Sequence, residues 1–274
     1  MLLAHGKAAS VYRLNYASQQ GGDVSIALSG DWTEPLTPSK QDHAAAQRRQ
    51  EFQIGWFADP IFGKNGDYPP SMRRLVGDRL PRFTLAEKEM LANSADYFAL
   101  NHYTSRYAFF PREGCPSDRT GWLEDQCCNE TTIGVDGKPI GPKGGASWFY
   151  SVPWGFRKLL VWLKGRYGTV DIAITENGAI DPPGVVLNDT FRARYLTGYL
   201  DNVRKAIVYD NVTILGYFVW SLIDNVEWSD GYKSKFGLFH LDDNTMARTP
   251  KASVAYLRNE IRGWRENLAS MVLR

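Results

Sequence analysis

The sequence predicts a parallel α/β protein, on three observations. Four near-continuous apolar runs read as strands: Val24-Ser-Ile-Ala-Leu28, Tyr97-Phe-Ala-Leu100, Val170-Asp-Ile-Ala-Ile-Thr175 and Ile214-Leu-Gly-Tyr-Phe-Val-Trp220. Helical patterns separate them, and strands that alternate with helices imply a parallel sheet. The runs also show little polar alternation, as expected of strands covered on both faces.

In chain order, Leu2 to Leu14 is helix-like. The first strand ends in Asp31-Trp-Thr-Glu-Pro35. Thr84-Leu-Ala-Glu87 is a capping box that opens a helix toward Ser94. Beyond the second strand, the stretch from Arg106 to Ala146 is rich in Gly, Pro, Asp and Cys. It is predicted to be a long strand-to-helix loop, where function concentrates. Pro153 suits the first turn of a helix carrying Leu159, Leu160 and Leu163, with Gly168 as its stop. From Thr190, the apolar positions Phe191, Tyr195, Tyr199, Val203 and Ile207 step by four. Val254, Leu257, Ile261, Trp264 and Leu268 step by three and four, which marks one buried helical face. No repeat or linker divides the chain, so residues 1–274 are expected to form one domain.

Composition excludes several classes. Hydrophobic residues are 43% and aromatics 13% of the 274, too many for disorder. A formal net charge of +2 leaves no nucleic-acid footprint and no acidic-membrane binder. The longest apolar run, Ile214 to Trp220, falls short of the roughly 20 residues of a membrane helix. Cys115, Cys127 and Cys128 are too few and wrongly spaced for a zinc ribbon. They read as free loop thiols or, in an exported protein, as a bridge from Cys115 to either of the other two. Asn-x-Thr triplets at Asn129, Asn188 and Asn211 tilt only weakly toward a secretory origin, and the compartment stays open. No phosphate-cradling loop or metal-ligand cluster is evident, so neither a metal nor an organic cofactor is implied.

Chemistry gathers where the strands end. The third runs into Thr175-Glu176-Asn177-Gly178, with an acid at the end of a buried strand. The fourth runs into Trp220-Ser-Leu-Ile-Asp-Asn-Val-Glu227-Trp228, a pairing of indoles and carboxylate that suits a sugar. Indole faces cover pyranose C–H groups, and a carboxylate accepts hydrogen bonds from two neighbouring hydroxyls. The second runs into Asn101-His102-Tyr103-Thr104-Ser105, where a phenol can hold a carboxylate in place. Taken singly, each has a plainer reading: an acid that caps a helix, a core tryptophan, a packing tyrosine, a satisfied imidazole.

The ordered set is more specific. Ile174-Thr-Glu-Asn-Gly178, Tyr217-Phe-Val-Trp-Ser-Leu222 and Asp224-Asn-Val-Glu-Trp228 resemble family 1 glycoside hydrolases, the β-glucosidase and β-galactosidase group. So do Leu100-Asn-His-Tyr-Thr-Ser105, Val152-Pro-Trp-Gly-Phe-Arg-Lys158, Lys235-Phe-Gly-Leu238 and Asp31-Trp-Thr-Glu-Pro35. The resemblance implies a (β/α)₈ TIM barrel, of which this chain covers about the second half, strands five to eight with their helices. It implies retaining hydrolysis of terminal non-reducing β-glycosyl residues, with a β-glycoside as substrate. Glu176 matches the nucleophile and Tyr103 the tyrosine that supports it, with Asn101 beside them. Glu227 and Trp228 match the pair that grips the outer sugar hydroxyls, and Trp220 the floor of that subsite. Phe236 matches the aromatic near the hydroxymethyl group, and Trp148 the platform under the leaving group.

Retention needs a second carboxyl about 5–5.5 Å from the first. In this family it lies in a Thr-x-Asn-Glu-Pro motif, which is absent from the sequence. Glu34 and Glu130 are poor substitutes: Glu34 belongs to a different motif, and Glu130 lacks the proline. A full barrel takes about 250 residues, yet only four strands are legible here. The chain also opens on a helix with no capping residue before it, and Met1 to Lys7 has no leader-like pattern. A missing front half is therefore expected, with open edges at the strands of Val24 and Ile214. Three readings follow: a partial β-glycosidase inactive alone, a non-catalytic sugar-binding or interaction protein, or a half-barrel that pairs with a complementary half or with itself.

Overall fold

A computed structural model describes residues 1–272 except residue 93, with side chains described as far as Trp264. The helices are α1 (Leu2–Asn15), α2 (Ala17–Gln20), α3 (Lys40–Gln50), α4 (Trp56–Phe62), α5 (Pro70–Val76), α6 (Leu85–Ala92), α7 (Trp122–Asp125), α8 (Pro153–Tyr167), α9 (Thr190–Asp210) and α10 (Ala252–Val272). The strands are β1 (Ala27–Ser29), β2 (Trp32–Pro35), β3 (Phe98–Asn101), β4 (Ser105–Phe109), β5 (Asn129–Thr131), β6 (Ile172–Asn177), β7 (Ile214–Val219), β8 (Phe239–Leu241) and β9 (Arg248–Pro250).

The main sheet is parallel throughout, in the order β1-β3-β6-β7. Its centre is the apolar part: Phe98, Leu100, Ile172 and Ile174 are fully buried. Against them pack Phe156, Leu159, Leu160 and Leu163 of α8 and Tyr195, Leu196, Tyr199 and Val203 of α9. Leu159, Leu160 and Leu163, and Tyr195, Tyr199 and Val203, are among the residues whose spacing predicted the two helices, whereas Ile207, the last of the α9 series, is 42% exposed. The capping box also forms, since Glu87 accepts from the Thr84 backbone N–H at 2.8 Å and Thr84 accepts from that of Glu87 at 3.3 Å.

Several expectations need correction. The first strand is only Ala27–Ser29, because Val24 and Ser25 are tied instead to Asp96 and Tyr97 by loop hydrogen bonds. Burial on both faces holds for β3 and β6 but not for β1 and β7, which lie at the sheet margins and leave Leu28's neighbours, Leu215 and Phe218 exposed. The long loop beyond the second strand contains β4 and β5, which join β2 in a separate three-stranded sheet. Helix α3 escaped notice because it buries alanines rather than a leucine stripe. Its start is nevertheless signalled by Ser39, whose hydroxyl accepts from the Asp42 N–H at 3.1 Å. Cys115 pairs with Cys127, and Cys128 is free. The C-terminal stripe on α10 is not one buried face: Val254 and Leu257 are half-buried against the core, Ile261 and Trp264 are exposed, and the side chain of Leu268 lies outside the described residues.

Candidate active site

Parallel pairing puts strand ends in one row. Ser29 of β1 is in register with Asn101 of β3, and Asn101 with Glu176 of β6. At this end the Tyr103 hydroxyl donates to Glu176 Oε2 at 2.5 Å. Burial, and then the bond to the Glu176 carboxylate, push the phenol far above the ordinary tyrosine range. Tyr103 therefore stays protonated and acts as a donor. The Thr175 hydroxyl donates to Asn101 Oδ1 at 2.6 Å, which fixes the amide beside the carboxylate.

The residues flanking these groups are buried and hold them in place. The His102 N–H donates to the Glu176 carbonyl at 2.9 Å. The His102 ring stacks on Phe156 with centroids 4.5 Å apart, and its Nδ1 lies 2.7 Å from the Gly30 carbonyl. A carbonyl only accepts, so Nδ1 carries the proton. Asn177 donates to the His102 carbonyl at 2.7 Å and to the Tyr195 hydroxyl at 2.9 Å, and accepts from Tyr217. The hydroxyls of Tyr195 and Tyr199, both on α9, donate to the Tyr103 carbonyl at 2.8 and 3.3 Å. The geometry around Tyr103 and Glu176 thus rests in part on the α9 face that packs the core.

The opposite wall comes from the segment after β7. Trp220 Nε1 donates to Glu227 Oε1 at 2.9 Å. Burial raises the Glu227 carboxyl, opposed by that indole bond and reinforced by the charge of Glu176. A buried ionic cluster anchors the segment: Lys251 Nζ bridges Asp181 at 2.8 Å and Asp224 at 2.9 Å, and Arg192 meets Asp181 at 2.9 Å. The peptide bond between Trp220 and Ser221 is cis.

The walls enclose a cavity of about 600 Å³, lined by Ser29, Asn101, Tyr103, Trp148, Glu176, Trp220, Asn225, Val226, Glu227, Trp228 and Phe236. All eight residues singled out from the sequence line it. Phe236 is 4% exposed and sits edge-on to Tyr103, whereas Trp228 is 92% exposed and stands at the rim. Ser29, Asn225 and Val226 were not anticipated. Ser29 ends a strand as Asn101 does, so the strand-end rule could have found it, and the other two precede Glu227 in its own segment. Glu34 and Glu130 lie elsewhere: Glu34 pairs with Lys158 at 2.7 Å and accepts from Trp32, and Glu130 pairs with Arg49 and Arg106. Among the described residues, no group of three His, Cys, Asp or Glu side chains is placed to hold a metal ion.

The cavity thus pairs a strand-end carboxylate held by a tyrosine with an indole–carboxylate wall. The profile of glycosyl hydrolase family 1 matches residues 1–264, and the chain belongs to that family. Beta-glucosidase 44 of Arabidopsis thaliana is 42% identical over 262 residues, which is 94% of this chain and 50% of that protein. The crystal structure of a rice β-glucosidase superposes with a TM-score of 0.88 at 41% identity, over 93% of this chain and 54% of that one. A Trichoderma harzianum β-glucosidase gives 0.89 at 39%, over 96% and 56%. The fold is therefore that of the TIM-barrel glycosidases, and the chain spans about half the length of the curated relatives it matches.

Proposed function

We propose that this chain carries the nucleophile half and the sugar-recognition wall of a retaining β-glycosidase. The Tyr103–Glu176 hydrogen bond, inside a cavity shared with Trp220 and Glu227, carries this reading. Glu176 attacks the anomeric carbon and forms a glycosyl ester while the aglycone oxygen departs. Tyr103 holds the Glu176 carboxyl in place for the attack. Trp220 turns one oxygen of Glu227 away from the sugar, leaving the other to accept from the outer hydroxyls. A related β-glucosidase from Humicola insolens is described in complex with glucose, which supports a glucosyl unit here.

The departing oxygen needs a proton from a second carboxyl about 5–5.5 Å from Glu176. The 274 residues contain no Thr-x-Asn-Glu-Pro motif to supply it. Glu34 and Glu130 are each committed to other partners. The isolated chain is accordingly expected to turn over an aryl β-glucoside negligibly. Adding a complementary family 1 segment that bears the motif should produce activity, and Glu176→Gln should abolish it. Activity of the complemented pair that survives Glu176→Gln would refute the assignment. Turnover by the chain alone would refute the incompleteness.

A second reading, a non-catalytic sugar-binding protein, draws on the same cavity, because Trp220 and Glu227 hold each other without help from Glu176. Calorimetry with glucose and cellobiose decides it. Binding by a chain whose Glu176 never becomes glycosylated favours this reading, and no heat at millimolar sugar removes it.

A further inference from the structure

Asn129, Asn188 and Asn211 each begin an Asn-x-Thr triplet with a middle residue other than proline. The fold leaves all three side chains exposed, and none lines the active-site cavity. Each place tolerates a bulky group. Asn129 opens β5, at the margin of the three-stranded sheet, which among the described residues pairs only with β4. A large polar substituent on such a strand leaves the ladder intact and obstructs edge-to-edge association. Asn188 lies just before α9 and Asn211 just after it. The 21 residues of that helix separate them by about 30 Å. At Asn211 the left-handed backbone, φ 53°, accounts for the asparagine. It does not account for the exposed Thr213 two residues on.

An independent observation points the same way. Cys115 and Cys127 form a disulfide that closes a loop two residues before Asn129. Structural disulfides persist in oxidising compartments and are rare in reducing ones. Burial raises the neighbouring Cys128 thiol to about 11. It is thus mostly protonated and a slow partner for exchange with that bridge.

We propose that Asn129, Asn188 and Asn211 carry N-linked glycans and that the chain matures in an oxidising lumen. The donor is a lipid-diphosphate-linked oligosaccharide. The amide Nδ2 forms a bond to the sugar's anomeric carbon as the bond from that carbon to the diphosphate oxygen breaks. The lipid diphosphate leaves with the electron pair, and the amide proton passes to a base of the transferase. The proposal does not depend on the hydrolase reading.

The test is peptide mapping of the protein isolated from its source. Treatment with peptide N-glycosidase in heavy-oxygen water converts each glycosylated asparagine to aspartate, a gain of about 3 Da. The gain is expected at all three positions, with Cys115 and Cys127 still joined in the unreduced digest. Finding any of the three only as unmodified asparagine contradicts the proposal, as does alkylation of Cys115 and Cys127 as free thiols. In a chain directed into a eukaryotic secretory pathway, Thr131→Ala, Thr190→Ala and Thr213→Ala should each remove one glycan-sized step on a gel. A variant that leaves the ladder unchanged counts against its site.

Discussion

Tyr103 shows how much chemistry one hydrogen bond carries. Among the described residues its phenol is the one side chain hydrogen-bonded to the Glu176 carboxyl, at 2.5 Å, and bonds to charged acceptors contribute about 1.5–3 kcal/mol. Tyr103→Phe should therefore slow glycosylation of Glu176 roughly 10- to 150-fold, read as the rate of trapping by an activated 2-fluoro glycoside. An unchanged rate would show that the phenol does not act on the nucleophile. His102 allows a pH test. Burial lowers its imidazole to about 4, whereas the unfolded chain titrates near 6.5. The unfolded state binds the proton first, so this stability is present above pH 6.5 and is lost as pH falls toward 4. The loss is about 2 kcal/mol between pH 7 and 5. Asp31, raised to about 6 by burial, acts in the opposite sense but is common to parent and variant. Urea titrations of the parent and His102→Asn should therefore converge by about 2 kcal/mol over that range. A constant gap would contradict a neutral buried imidazole. Glu176 and Glu227 were legible because strand ends and motif order mark them. The anchoring roles of His102 and Asn177 were not, since their partners lie more than seventy residues away in sequence, at Gly30 and His102.

At the scale of elements, legibility followed the hydrophobic stripe. Helices α8 and α9 and the central strands β3 and β6 bury large side chains at regular spacing, and these were read correctly. Helix α3 and the β2-β4-β5 sheet have no such stripe and went unread. Close backbone approach is equally silent in the sequence. A Cβ on Gly178 would collide with the carbonyl oxygen of Trp220, where β6 and β7 release the site residues. Gly178→Ala should destabilise by about 1–3 kcal/mol or more, because neither backbone has room to move. The check is the urea midpoint at unchanged slope. A midpoint equal to that of the parent would show that the two strand ends are not in this contact.

At the scale of the whole molecule, the main parallel sheet has two margins, β1 and β7, without a strand partner among the described residues. On β7, Leu215 is 54% and Phe218 61% exposed, beside a strand edge with no partner among the described residues. Apolar edges of this kind recruit other chains. The 274-residue chain is expected to self-associate in light scattering, and Leu215→Lys with Phe218→Lys should shift it toward monomer. The same pair of lysines should block complementation by a second half-barrel. A parent chain that stays monomeric at high concentration would contradict the open-edge account. The four strands legible in the sequence correspond to the four strands of the main sheet.

The central claim is that Glu176 bonds covalently to a sugar's anomeric carbon. An activated 2-fluoro β-glucoside tests it most directly, because a good leaving group needs little help from an acid. Mass spectrometry of the treated chain should find one glycosyl adduct, on the peptide containing Glu176, and none in Glu176→Gln. An adduct on another carboxylate, or none under conditions that label a full-length relative, would contradict the account.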